Sequence, residues 1–200
     1  MAKDNTTAPL AQPPARYPSL GVDTAQLDKW GFSFFPIKAP CFQSSCACGN
    51  DGKSCGKSPL LSWAKYQQRR PRADEIAQWS DRWPGANYGI VTGEISGVVV
   101  LDIDDMSAAG PHFKQYGELP VTPSARTGKG LHIYFSHPGK KIGNATAFMP
   151  GCDFRGDGGY VIAPGSIHST GVLYEWTVSP DDAPLAPLPA GKHGMGFFPL

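Results

Sequence analysis

The sequence predicts an α+β fold with a mainly antiparallel sheet. Short β-type runs such as ANYGIVTG, VVVLDID, LHIYFS and VLYEWTV outnumber the helical stretches. They do not alternate one for one with helices, as a parallel βαβ sheet would require. Two hundred residues with 40% hydrophobic and 18% charged content suit one domain with a sizeable core, alone or with a small appendage.

Taken in order, residues 1–18 are polar and Pro-rich and read as a disordered leader. LGVDTAQLDKWGFSFFPI then reads as a short helix stopped by Gly31 and an aromatic strand. A cysteine-rich loop occupies 41–58. ADEIAQWSDRW (73–83) is helical, with Ile76, Trp79 and Trp83 spaced at i, i+3 and i+7 and with Asp74 and Glu75 in the first turn, where they suit the helix dipole. Two strands joined through glycine follow, then a helix or loop near 106–117, and the strand LHIYFS at 131–136. CDFRG and YVIAP are expected to form a hairpin around Gly156, Asp157, Gly158 and Gly159. A last strand spans 172–178. From 179 to 200 the chain is Pro-rich and reads as a linker or tail, which leaves 19–178 as the main domain.

Composition excludes several classes. The formal net charge of +1 announces no nucleic-acid binder, so such a role needs a local patch. No apolar run approaches a membrane span, and the N-terminus has no apolar signal core. The expected location is the cytoplasm, where clustered cysteines indicate metal or free thiols and not a disulfide framework.

The stretch VVVLDIDD, 98–105, carries the most chemistry. Alternation along a strand puts Val98, Val100, Asp102 and Asp104 on one face and Val99, Leu101 and Ile103 on the other. Asp102 and Asp104 then lie roughly 7 Å apart. Two ionised carboxylates this close repel, and a hard divalent cation between them relieves the conflict. A solvated acidic turn is the plainer reading. CDFRG adds Asp153 and Arg155 on one strand face, and three carboxylates for two ions is a nucleotidyl-transfer layout. Asp105 and Asp157 read as turn residues. His132 lies on one face of LHIYF with Tyr134, where it grips a phosphate or faces water. SARTGKG before it combines Arg126, Lys129 and two glycines that let backbone N–H groups approach an anion, or forms an ordinary basic turn.

Cys41, Cys46, Cys48 and Cys55 are spaced C-x4-C-x-C-x6-C, and four thiolates suit tetrahedral Zn²⁺, with a loop of free thiols as the alternative. Cys152 stands apart and reads as a small buried hydrophobe. GKS at 52–54 and 56–58 is no P-loop, because Ala47 and Asp51 occupy the positions of the required first glycine. From 52 to 72 the chain carries Lys53, Lys57, Lys65, Arg69, Arg70 and Arg72 with no acid, interleaved with Trp63 and Tyr66. That pattern follows a single nucleic-acid strand or forms a solvated face.

In order, GFSFFPI, CGKSPL, ANYGIVTG, VVVLDIDD, TGKGLHIYF, DFRGDGGYVIAPGS and GVLYEW resemble the primase–polymerase (prim-pol) domain of the archaeo-eukaryotic primase superfamily, found in bacterial, phage and plasmid replication proteins. The resemblance implies a primase-like core with an RRM-like half. It implies a template-directed nucleotidyltransferase that uses Mg²⁺ or Mn²⁺ held by Asp102, Asp104 and Asp153. By the same resemblance His132 touches the nucleotide's phosphates, helped by Arg126, Lys129 and Arg155, and Ser166 lies near the nucleotide unless it caps a turn. A cysteine-rich insertion at this place in relatives supports zinc. Gly130 departs from the small hydroxyl residue often found two before the histidine. The implied partners are single-stranded DNA template, nucleoside triphosphates and a helicase domain or protein, with no membrane. A metal-dependent nuclease and a non-catalytic single-stranded DNA-binding module compete with this reading.

Overall fold

The computed structural model describes residues 21–41, 55–116 and 119–189. In chain order the elements are α1 (Thr24–Lys29), β1 (Phe34–Ile37), α2 (Ala73–Arg82), β2 (Asn87–Val91), β3 (Val98–Ile103), α3 (Met106–Tyr116), β4 (Ser124–Arg126), β5 (Leu131–Ser136), β6 (Ala145–Met149), β7 (Cys152–Arg155), β8 (Tyr160–Ile162), β9 (Glu175–Val178) and β10 (Ala186–Pro187). The fold is α+β, and every strand pair but one is antiparallel among the described residues. The strands form two sheets. The smaller runs β1-β2-β8, and the larger runs β6-β7-β3-β5-β4-β9, with β10 pairing in parallel along the end of β5.

Local chemistry accounts for the boundaries. Asp23 caps α1 by accepting from the Gln26 N–H at 2.9 Å, and Gly31 ends it at φ +82°, a conformation open to glycine. In α2 the buried Trp79 packs edge-on to Phe34 and Tyr66, as the helical spacing predicts. Glu75 does more than suit the dipole. It is buried, accepts from Lys65 Nζ at 2.8 Å and from Arg69 at 2.7 and 2.9 Å, and bonds the Tyr66 hydroxyl.

The β-branched run of β3 is buried on both faces, which is why it reads as a continuous apolar stretch. Val98 and Val100 join the core shared with the smaller sheet, and Val99, Leu101 and Ile103 face the second core with Ala109 and Phe113 of α3. Truncating Leu101 to alanine would cost about 2–5 kcal/mol.

Two expectations need correction. CDFRG and YVIAP are not a hairpin: β7 belongs to the larger sheet and β8 to the smaller, so the glycine turn between them carries the chain across the seam. Asp157 holds that crossing by accepting from the backbone N–H groups of Glu94 at 3.0 Å and Ile142 at 2.8 Å. The chain from 179 to 189, expected as linker, packs on the domain. Asp181 accepts from Gln26, Lys29 and Trp30 of the α1 segment, Ala183 is buried, and β10 pairs with β5.

Candidate active site

The candidate site lies where the two sheets part. β3 is flanked by β5 and β7, and its register sets Asp102 opposite His132 on one side and opposite Asp153 on the other. Three chemistry-bearing side chains thus form a row across three adjacent strands on one face. β3 ends at Ile103, so Asp104 lies just past the strand, yet it lines the same cavity as Asp102. The acidic turn is pinned because the N–H groups of Asp104 and Asp105 both donate to the Gly151 carbonyl, at 2.9 and 3.2 Å. Asp105 caps α3, accepting from the Ser107 and Ala108 N–H groups.

The cavity measures about 330 Å³, within the range of small-molecule sites. The larger sheet contributes Asp102, Asp104, His132 and Arg155, together with Thr127 and Lys129 from the turn before β5. The opposite wall is Tyr160, Val161 and Ile162 of β8, with Trp63 and Lys57 beside it. Tyr174, His168 and Asn144 complete the lining with the crossing turn's Gly158 and Gly159. Trp63 stacks on Phe35 with ring centroids 5.1 Å apart and meets Tyr160 edge-on.

Charges in the site are interlocked. Burial pushes the Asp102 carboxyl up, but His132, with Nε2 at 3.4 Å, and the charges of Arg155 and Lys57 outweigh it and hold the group below the usual carboxylate range. Arg155 donates to Asp153 Oδ2 at 2.6 Å and stands 4.0 Å from Asp102 Oδ2. Asp153 Oδ1 accepts from the Ala147 N–H at 2.8 Å. Burial and then the nearby carboxylates push the Cys152 thiol up to about 11, so it stays protonated. Burial likewise raises the Tyr174 and Tyr134 hydroxyls. His132 is buried, and its Nδ1 and the Tyr134 hydroxyl have no hydrogen-bond partner among the described residues.

Among the described residues no three His, Cys, Asp or Glu side chains converge as a ready-made metal site. Asp102 and Asp104 nonetheless share one cavity, and a guanidinium already stands between Asp102 and Asp153, so the carboxylate cluster accommodates positive charge. Mg²⁺ characteristically binds one or two carboxylates and completes its shell with water and substrate phosphates, which such a pair fits.

The other sequence candidates lie as follows. Lys129 reaches the cavity, and the TGKG turn is shaped by Thr127 Oγ1, which accepts from the N–H groups of Lys129 at 3.1 Å and Gly130 at 2.9 Å. A Cβ at Gly130 would strike the Ile103 carbonyl oxygen, which explains the missing hydroxyl residue there. Arg126 does not line the cavity; it is exposed and pairs with Glu175 at 2.7 Å. Ser166 is buried and does not line the cavity; its hydroxyl accepts from the Tyr88 N–H at 3.2 Å and so ties its turn to β2. In the basic stretch Lys65 and Arg69 pair with Glu75, Arg72 pairs with Asp74, and Lys57 enters the cavity. Lys53, Cys46 and Cys48 lie outside the described residues. Cys41 and Cys55 are close, the Cys41 N–H donating to Cys55 Sγ at 3.2 Å.

Sequence reasoning did not single out His168, Tyr160, Tyr174 or Asn144. Their signal was weak: His168 sits in SIHSTG, a turn that by itself looks solvated, and the others read as ordinary strand or turn residues.

The family described as Prim-Pol, "Bifunctional DNA primase/polymerase, N-terminal", matches residues 24–191. The chain belongs to this family, which supports DNA primase/polymerase activity in general. No curated protein matches the sequence. No helix among the described residues is long and apolar enough to cross a membrane.

Proposed function

We propose that this chain is the catalytic domain of a template-directed DNA primase–polymerase that makes or extends primers on single-stranded DNA with Mg²⁺ or Mn²⁺. One observation carries the reading: Asp102 and Asp104 open into the same cavity as Lys57, Lys129 and Arg155. Carboxylates for a hard cation and amines for a polyphosphate are the two halves of a nucleotidyl-transfer site.

Asp102, Asp104 and Asp153 are the residues that would hold the divalent ions. Divalent ions held by these residues would supply Lewis-acid activation of the attacking hydroxyl and charge neutralisation of the departing pyrophosphate. The protein's own groups orient the reaction. His132 steadies the Asp102 carboxylate, and Arg155, which pairs with Asp153 and stands near Asp102, lines the cavity that would take the triphosphate. The aromatic lining of Trp63, Tyr160 and Tyr174 offers ring faces to a base and helps exclude water from the reacting centre.

The cysteine loop holds Zn²⁺ through Cys41, Cys46, Cys48 and Cys55 in this reading, supported by the contact between its first and last cysteines. The template follows the stretch from Lys53 to Arg72, although ion pairing of Lys65, Arg69 and Arg72 leaves less free charge there than the sequence implies. A helicase domain or protein in a bacterial, phage or plasmid replication system is the expected partner, working in the cytoplasm. Incubation with a primed template, nucleoside triphosphates and Mg²⁺ or Mn²⁺ tests the proposal. Primer extension is expected. Shortening of the strand indicates the nuclease instead, and binding without either indicates a DNA-binding module.

A further inference from the structure

We infer that the β6–β7 hairpin is a positioning frame for the carboxylate cluster, and that a bulge in β6 orients Asp153 through the backbone N–H of Ala147. The inference rests on the nucleotidyl-transfer reading only for what the carboxylates hold; the frame itself is argued from register and backbone geometry.

β6 is an edge strand of the larger sheet and pairs with β7 alone among the described residues. Ala145 faces Phe154 and Met149 faces Cys152, so β6 advances four residues while β7 advances two. The extra residues leave the ladder as a bulge, a device that re-aims groups beside a site. The bulge is braced at both ends. Ala145 and Phe148 pack against the second core, Met149 is buried in it, and the Phe148 ring lies 6.1 Å from that of Phe154. Thr146 and Ala147, between these anchors, are exposed.

Ala147 has a φ of +48° and is the one non-glycine residue with a positive φ among the described residues. A left-handed backbone at a residue that carries a Cβ costs free energy and persists where its surroundings enforce it. Here it accompanies a directed contact: the Ala147 N–H donates to Asp153 Oδ1 at 2.8 Å, while Arg155 holds Oδ2 at 2.6 Å. Asp153 does not itself line the cavity, although the register sets it opposite Asp102. The orientation of its carboxylate therefore decides whether it joins Asp102 around one cation. The Ala147 N–H fixes one oxygen, whichever group holds the other. At its tip the same hairpin holds the next acid, because the Gly151 carbonyl accepts from the Asp104 and Asp105 N–H groups. Gly151 has a φ of +74°, and a Cβ there would strike the Asp105 carbonyl oxygen, so the close approach requires glycine. One hairpin thus sets Asp153 by its bulge and Asp104 by its turn.

The test reads the clamp first and the metal second, on the full chain. Amide hydrogen exchange followed by NMR in excess EDTA is expected to show the Ala147 amide protected, with the protection lost in Asp153→Ala. Mn²⁺ alone, without nucleotide, is then titrated by electron paramagnetic resonance. Ala147→Val puts a β-branched side chain in the left-handed region and is expected to weaken Mn²⁺ binding about tenfold, as loss of a group that orients a ligand does. Ala147→Gly keeps the N–H, accepts the φ, and is expected to restore the affinity that valine loses. In the Asp153→Ala background, Ala147→Val is expected to change Mn²⁺ affinity no further, because Ala147 acts through Asp153. Thermal denaturation checks that each variant is folded. An unprotected Ala147 amide overturns the frame, as does a folded Ala147→Val variant that binds Mn²⁺ like wild type or loses equally with and without Asp153. A protected amide, with a valine effect that disappears when Asp153 is removed, supports it. A wild-type chain that binds no Mn²⁺ overturns the nucleotidyl-transfer reading instead, and the exchange result alone then decides the clamp.

Discussion

The guanidinium of Arg155 donates to Asp153 Oδ2 at 2.6 Å and stands 4.0 Å from Asp102 Oδ2. An internal cation is already placed between two carboxylates that face each other across β3 and β7. From sequence alone, neutralising Asp153 should relieve repulsion and hold or raise stability. With Arg155 in place the sign reverses. Asp153→Asn is expected to cost about 1–2 kcal/mol, a fall in Tm of roughly 2–8 °C, while the new side-chain oxygen keeps accepting from Ala147. Nucleotide incorporation is expected to fall by about 10²-fold or more. Thermal melts and primer extension check both halves; a raised Tm would show that repulsion dominates. Asp157→Asn is also expected to lower the Tm, because Asp157 ties the Glu94 and Ile142 backbones to the crossing turn.

Zinc bound by the cysteine loop is expected to influence the cavity that Lys57 lines. Cys55 is buried two residues before Lys57, and its sulfur accepts from Cys41. Elemental analysis of protein purified without added metal is expected to find about one zinc per chain. Chelation is expected to lower the Tm and weaken nucleotide binding, because metal binding and local folding are coupled. No zinc, with all four loop thiols reacting freely in the native state, would remove the metal from the loop.

Glu75 gives a pH signature. The Arg69 hydrogen bonds, helped by Lys65 and the Arg72 N–H, hold its carboxyl well below the usual range despite burial. A depressed folded pKa contributes stability that is present above the unfolded value of about 4.3 and is lost as pH falls below it toward the folded value. Glu75→Gln is therefore expected to cost about 2 kcal/mol at pH 7, or roughly 4–8 °C in Tm, with the gap to wild type closing below about pH 4. A gap that stays constant from pH 7 to pH 2 would mean the charge contributes nothing.

Tyr134 tests the buried face beside the site. Its hydroxyl is fully buried without a partner among the described residues. Tyr134→Phe removes an unsatisfied polar group and is expected to stabilise by about 1 kcal/mol. A clear loss of stability in urea unfolding would show that the hydroxyl is hydrogen-bonded.

Much of this was legible in the sequence because alternation along a strand is strict. Asp102, His132, Asp153 and Arg155 fell on the faces that period two assigns to them, and Trp79 fell on the buried side of its helix. What the sequence hid was pairing between distant segments. Nothing local distinguishes a glycine turn that closes a hairpin from one that crosses between sheets, so CDFRG and YVIAP read as a hairpin although they belong to different sheets. For the same reason the linker-like stretch around Ala186 concealed a strand that pairs with β5. Arg126 and Lys129 looked equivalent in SARTGKG; only the partner strand β9, which supplies Glu175, separates them. Lys57 and His168 stand more than 100 residues apart, and only the tertiary fold brings them to one cavity.

The most direct measurement compares primer extension on a primed single-stranded template by wild type and Asp102→Asn, with Mn²⁺ binding followed in parallel. Asp102 is the carboxylate that faces both His132 and Asp153 and opens into the cavity. Wild type is expected to incorporate nucleotides. Asp102→Asn is expected to retain its fold and its template affinity, lose at least 10²-fold in incorporation, and bind Mn²⁺ more weakly. Undiminished incorporation by a folded Asp102→Asn variant would contradict catalysis at this carboxylate cluster.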